Sequence, residues 1–287
     1  MKKNIRTALL LLLGATVFSS CMKEYSDENN GDADGIIIGT DCRISKIAYA
    51  DSATGSGLGS LSAVITSLDE VTDITKFDSL SLTIDFNSLP QYFSDTVYID
   101  PDQYYVRETG TKRIKLFHGL VDPTVPGSAE YEVDYVYDGN GRLSQKLYRD
   151  YPSTPGIYYQ KVTYTYSGGN LVSMVSTDEF TGTLIKDAEL TFYTNIAPRN
   201  FMYLFPDENS FAEFNQFFNF GTKSANAVKS LKVRYYAAGV PFDSTVSVFK
   251  GYVMSRDNYV LSTYMLGDDQ SSIPAPEGRL KFSYHCK

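Results

Sequence analysis

The sequence predicts an all-β, mainly antiparallel fold: a meander of hairpins forming a curved sheet or an open barrel, with one short helix. Three observations lead there. Short β-branched and aromatic runs recur at close intervals between Gly-, Asn- and Asp-bearing turns. The clearest run, Tyr131-Glu132-Val133-Asp134-Tyr135-Val136-Tyr137, places apolar or aromatic residues at odd positions and acids at two of the three even ones, so one face packs and the other meets water. Finally, the strand-turn-strand unit starting at Val133 and passing Asp138-Gly139-Asn140-Gly141-Arg142 to Leu143 recurs at Val162 to Leu171, through Gly168-Gly169-Asn170. A third, degraded copy begins at Leu190-Thr191-Phe192-Tyr193. Glycine and asparagine supply the positive φ that tight hairpin turns need, so each unit is a hairpin and the series a meander.

In chain order, strands are expected at Ser81 to Phe86, Thr96 to Ile99, Lys112 to Phe117, Tyr131 to Tyr137 and Lys161 to Tyr166. Further ones fall at Glu189 to Tyr193, Leu231 to Tyr236, Ser244 to Phe249 and Leu280 to Tyr284. Ser210-Phe211-Ala212-Glu213 reads as a capping box, and Phe211, Phe214, Phe217 and Phe218 follow at helical spacing. The helix expected from Ser210 to Phe218 therefore carries a Phe stripe destined for the core, covering a sheet end or plugging a barrel mouth.

Residues 1–20 are set apart from this domain. Lys2, Lys3 and Arg6 precede an apolar stretch from Ala8, too short for a permanent span, which ends at Phe18-Ser19-Ser20-Cys21. That tetrad resembles a lipobox, with Phe18 where leucine is usual. The resemblance implies cleavage before Cys21, lipid on that cysteine and an outer-membrane location on the periplasmic or cell-surface face. Several acyl chains at about 0.8 kcal/mol per buried methylene anchor stably. Met22 to Glu28 resembles the acidic export signal of some Bacteroidetes lipoproteins. Residues 21–41 are polar and read as a flexible tether, leaving 42–287 as a single β domain.

The 26 Lys and Arg against 34 Asp and Glu give a net charge of −8; without the three cations of the leader the balance is 23 against 34, or −11. No basic cluster interrupts it, which excludes nucleic acid as a partner and disfavours anionic lipid headgroups. Cys42 and Cys286 remain once Cys21 is acylated, and outside the cytoplasm the two form either a bridge joining the domain's ends or two buried thiols.

The pattern from Tyr135 to Leu143, Tyr-x-Tyr-Asp-x-x-Gly-Arg-Leu, resembles the YD repeat of Rhs-type wrapping β proteins. It is also similar to the hairpins of a group of uncharacterised Bacteroidetes lipoproteins, where such units precede an Asn-Pro-Phe-like segment, a short helix and further strands. Here Ala197-Pro198-Arg199-Asn200-Phe201 inserts residues between Pro198 and Phe201, while Ser224-Ala225-Asn226 suits the small-residue turn that follows. The resemblance runs from about Glu130 onward and implies fold and compartment; it brings no functional residue.

Catalytic signatures are sparse. His118 and His285 are the only histidines, and no His-Glu-x-x-His, Cys-x-x-Cys, Gly-x-Ser-x-Gly or P-loop pattern occurs. His285 adjoins Cys286, but neighbours on a strand point to opposite faces, so they do not form a nucleophile pair. Asn30, Asp32, Asp34 and Asp41 occupy positions 1, 3, 5 and 12 of an EF-hand-like loop, with Gly35 at 6. The flanking helices are missing and Asp41 replaces the usual Glu, so neither calcium nor any other cofactor is expected. Acidic pairs such as Asp69 with Glu70, or Asp207 with Glu208, have the chemistry of a carboxylate-dependent glycan hydrolase, whose geometry a sequence does not supply. With 23 Tyr and no Trp, the expectation is a non-enzymatic binding module for a glycan or an envelope protein. The alternatives are a structural or assembly component of the envelope and the hydrolase.

Overall fold

The computed structural model describes residues 31–32, 36–37, 42–51, 57–66, 70–78, 83–122, 125, 127–152, 156–207, 214–267 and 278–286. Cys21, Asn30, Asp34 and Asp41 lie outside them, as do Asp69 and Glu208. Within the segment expected to be a tether, β1 (Gly31–Asp32) and β2 (Ile36–Ile37) form a two-residue antiparallel ladder.

All remaining strands share one antiparallel wall. It begins with β3 (Cys42–Asp51), β4 (Gly57–Ile65), β5 (Val71–Asp78), β6 (Thr83–Ser88), β7 (Gln91–Phe93), β8 (Thr96–Asp100), β9 (Gln103–Arg107) and β10 (Ile114–Leu120). It continues with β11 (Glu130–Tyr137), β12 (Leu143–Tyr151), β13 (Gln160–Ser167), β14 (Asn170–Asp178) and β15 (Leu184–Phe192). After a long connection come β16 (Val228–Ala237), β17 (Val240–Met254), β18 (Val260–Gly267) and β19 (Gly278–Cys286). Each strand pairs with its sequence neighbour, and β19 pairs with β3 from Gly278↔Asp51 to Cys286↔Cys42, which bends the meander into a ring. One seam remains. β6 pairs with β5 and β7 with β8, but no register joins β6 to β7, which follow one another through Leu89-Pro90. Proline has no N–H to donate, so the ladder is interrupted there, and β6 and β7 run in the same direction on either side of it.

The two hairpin units of the sequence are the β11–β12 and β13–β14 hairpins. The third copy differs: β15 pairs with β16, yet residues 193–227 intervene instead of a turn. Ring closure requires that excursion to go somewhere, and it goes inside.

Alternation decides the two faces. On β11, Val133 and Tyr135 are buried inward while Val136, between Tyr135 and Tyr137, is exposed. On the opposite wall Leu280, Phe282 and Tyr284 of β19 point inward, and Arg279, Lys281 and Ser283 alternate with them. Apolar-in and polar-out is the reverse of a membrane-spanning barrel, whose apolar band faces lipid. A ring of this many strands encloses more space than its own side chains fill. Residues 193–207 and 214–227 fill it: Phe201, Met202, Tyr203, Leu204, Phe205, Phe217, Phe218 and Phe220 are all buried.

The expected helix is where the structure departs from the sequence pattern. Its described part is one 3₁₀ turn, Phe214–Phe217, and 208–213 lie outside the described residues. Phe217 and Phe218 do enter the core, carried by this turn of the plug. Phe218 packs against Tyr105 at 5.2 Å between ring centroids, and Phe217 offers its carbonyl to the Arg43 guanidinium. A segment with partners all round gains more from satisfying each of them than from extending a helical face.

Candidate functional site

Consecutive hairpin turns lie at alternate ends of the ring. One end holds Cys42, Cys286 and the turns after β4, β7, β9, β11, β13 and β17; the other holds the turns after β3, β5, β8, β10, β12, β14, β16 and β18. We call these the terminal and distal rims.

The plug is sutured across the terminal rim. Thr222 N–H donates to Gly141 O at 2.8 Å, Ala225 N–H to Gly169 O at 3.1 Å, Ile114 N–H to Asn219 O at 2.8 Å and Arg199 N–H to Asn258 O at 2.7 Å. Asn200, at φ +43°, donates its side-chain amide to Cys42 O at 2.7 Å. Gly221 has no room for a side chain: a Cβ there would lie 2.2 Å from Gly141 O. Both segments singled out by the resemblance are plug termini. Phe201 leads in, edge-on to Phe282 at 5.2 Å, and Ser224 to Asn226 lead out, with Asn226 N–H donating to Asn170 Oδ1 at 2.8 Å. Inside the plug Tyr203 and Gln216 exchange two hydrogen bonds, of 2.7 and 3.0 Å, and the Tyr203 hydroxyl bridges Phe220 N–H and Gly221 O.

Asp207 ties the plug to the wall. Its carboxylate receives the Lys146 ammonium at 3.0 Å, the Tyr148 hydroxyl at 3.3 Å and the Tyr164 hydroxyl, and its backbone carbonyl accepts from Lys186 Nζ at 2.8 Å. The Lys146 side chain is 0% exposed and that of Asp207 2%. Burial alone would raise the Asp207 carboxyl, but the adjacent Lys146 charge and the Tyr164 hydrogen bond outweigh it and hold the group below the usual carboxylate range. Both carboxylate oxygens are engaged, which suits an anchor between plug and wall. Lys146 also lies 4.2 Å from the Phe205 ring centroid.

The bridge Cys42–Cys286 ties the first and last strands of the wall at 244 residues' separation. Beside the plug's exit, Leu143, Tyr166, Leu171, Tyr203 and Lys223 line a small cleft. There the Lys223 ammonium lies 4.5 Å from the Tyr203 ring centroid and 3.5 Å from Asn200 O; burial, with Arg43 nearby, pushes it down to about 7.

The other concentration of chemistry is on the outer wall. Side chains from β7 to β12 form a belt across the strands: Phe93 against Tyr98 (5.7 Å), Tyr98 against Tyr104 (5.3 Å), Tyr104 stacked on His118 (4.6 Å), and Tyr151 edge-on to His118 (4.7 Å). Carboxylates continue it. His118 Nε2 lies 3.5 Å from Glu130, and its Nδ1 3.7 Å from Glu132. Arg149 pairs with Glu132 and lies 3.7 Å from Asp134, which accepts the Tyr158 hydroxyl at 3.0 Å. His118 Nδ1 and Arg149 Nε are buried without a hydrogen-bond partner, while Phe93 and Tyr151 stay exposed. Burial first, then the charge of Glu132, raises the Tyr104 hydroxyl. Sequence reasoning missed this belt because its members meet only through the register from β7 to β12. It missed Lys146 too, although a lysine two residues before Tyr148 on an alternating strand was the available signal.

No family model matches the chain, and no curated protein matches it. Among solved structures it is similar to a porin-like protein from Bacteroides uniformis ATCC 8492, with 10% identity, TM-score 0.58, and coverage of 86% of this chain and 99% of that one. A porin-like protein from Bacteroides vulgatus ATCC 8482 aligns at 12% identity and TM-score 0.48 over 85% of this chain and 99% of that one. A TcdB2-TccC3 structure aligns at 9% identity and TM-score 0.26, covering 88% of this chain and 15% of that one. What the first of these shares with the chain is the fold: a single mainly antiparallel meander.

Proposed function

We propose that this chain is an envelope lipoprotein, held by lipid on Cys21, that works as a non-enzymatic binding module recognising a glycan or an envelope protein through its exterior. The observation that carries the reading is the plug. With residues 193–207 and 214–227 tied across the terminal rim and anchored by Lys146–Asp207, the interior is packed, and what the molecule offers a partner is its outer wall and its rims. Asp207, one member of an acidic pair with acid-base chemistry, is committed to that anchor.

On the wall, the belt offers sugar-compatible chemistry. Exposed Phe93 and Tyr151 flank tyrosines and the half-exposed Glu130, so apolar ring surface adjoins carboxylate acceptors for hydroxyl groups. The test is glycan-array binding of residues 22–287, with and without chelator, alongside the double variant F93A/Y151A. Saturable binding lost in that variant supports glycan recognition by the belt. A blank array favours a protein partner or an assembly role, and retained binding in the variant removes the belt.

A further inference from the structure

Lys223 is a cation without a counter-charge. Its ammonium makes one hydrogen bond, to Asn200 O at 3.5 Å, and rests over the Tyr203 ring at 4.5 Å; among the described residues no carboxylate pairs with it. Lys146, by contrast, has Asp207. An ammonium carries three donors, and a desolvated charge is ordinarily paired. The charge that acts on Lys223 is another cation, Arg43, which together with burial pushes it down to about 7.

The cleft that holds this amine has an apolar floor, where Leu143, Leu171 and Tyr203 are buried, and a polar edge. Tyr166 lines it with a hydroxyl that makes no hydrogen bond among the described residues. Burial first, then the charge of Asp138, raises that hydroxyl, so it stays a neutral donor. Ser224 Oγ accepts Leu171 N–H at 3.1 Å and keeps its own proton to donate. Arg142 lies 5.4 Å from the Tyr166 ring centroid, and its Nε is buried without a hydrogen-bond partner. Asp138 is held by its own turn, its Oδ1 accepting the Asn140 and Arg142 N–H groups at 2.8 and 2.9 Å. The free volume is about 20 Å³, room for a single water-sized group.

We infer that this cleft binds a carboxylate, one oxygen of which enters beside Lys223 and accepts from the Tyr166 and Ser224 hydroxyls while the rest of the ligand stays outside the rim. Cations without a partner acid and hydroxyls with protons to give select an anion. The small volume selects its shape: a flat carboxylate places one oxygen inside and lies along the cleft, whereas a tetrahedral sulfate or phosphate is too bulky to follow. The site is separate from the aromatic belt and goes beyond the reading given above, so glycan recognition by the belt stands or falls without it.

The test is equilibrium dialysis of radiolabelled acetate against residues 22–287 at pH 6.0 and pH 8.5. A single saturable acetate per chain should bind at pH 6.0, and at least tenfold more weakly at pH 8.5, where Lys223 has given up its proton. Acetate is ionised at both values, the guanidinium groups of Arg43 and Arg142 carry their charge at both, and the raised Tyr166 and Tyr203 hydroxyls stay neutral. Lys223→Met should weaken binding at least tenfold at pH 6.0 and Tyr166→Phe severalfold, with unchanged far-UV circular dichroism confirming that both variants fold. If Lys223→Met does not fold, the pH comparison on the unaltered chain decides. Displacement of acetate by glucuronate extends the site to sugar acids, and failure of glucuronate to displace it confines the site to small free acids; either supports a carboxylate site. Uptake that does not saturate, equal affinity at the two pH values or in Lys223→Met, or displacement by sulfate as effective as by unlabelled acetate overturns the inference.

Discussion

Replacing Lys146 by methionine tests the anchor between plug and wall. The side chains of Lys146 and Asp207 are 0% and 2% exposed, so removing the ammonium leaves a carboxylate that water does not reach. Breaking a buried pair from one side costs about 3–5 kcal/mol, because the surviving charge keeps its desolvation penalty without its partner. For a domain of this size, where each kcal/mol moves the midpoint by about 2–4 °C, Tm should fall by roughly 6–20 °C. Asp207→Asn should cost a similar amount, since it strands the ammonium. The double variant K146M/D207N should cost far less than the two combined, on the order of 1–3 kcal/mol, because no unpaired charge remains. With no Trp in the chain, urea titrations are followed by far-UV circular dichroism and tyrosine emission. Additive single and double variants, or a loss below about 1 kcal/mol for K146M, would show that Asp207 does not hold the plug through its charge. The pH dependence has a definite sign. Asp207 titrates lower in the folded state than in the unfolded chain, so its contribution is present above the unfolded carboxylate range and is lost as pH falls through the folded value. Acid titration of D207N should lack that component.

Three further outcomes follow from the same geometry. Lys223, pushed down to about 7 when folded, binds fewer protons there than in the unfolded chain between pH 7 and its ordinary range; its contribution to stability therefore rises with pH through that window, and Lys223→Met should flatten the slope in urea midpoints between pH 6.5 and 9. The double variant C42S/C286S should lose up to about 5 kcal/mol in the chain-entropy description of so long a loop; an unchanged midpoint in non-reducing buffer would show that the β19–β3 ladder alone closes the ring. Phe220→Ala removes a ring packed among Tyr105, Tyr135, Tyr203 and Phe205 and should cost about 3–5 kcal/mol by denaturation.

Strand identity and the inward face were legible in the sequence because they are local. Alternation from Tyr131 to Tyr137 names the buried side whatever the partner strands, and glycine turns at Gly141 and Gly168-Gly169 specify hairpins by their need for positive φ. The burial of Phe217 and Phe218 was legible from their chemistry, but the helix expected to carry them was not realised in the described residues, because capping and periodicity describe a segment with one packing face. This one has many.

What only the tertiary structure decided is non-local. The fate of the third repeat, the entry of 193–207 and 214–227 into the ring and the meeting of Lys146 with Asp207 across 61 residues depend on β19 reaching β3 and leaving an interior to fill. The belt from Phe93 to Tyr151 depends likewise on which strands lie side by side. A sequence records side-chain alternation along one strand, whereas the register between strands and the end at which each turn emerges follow from ring closure.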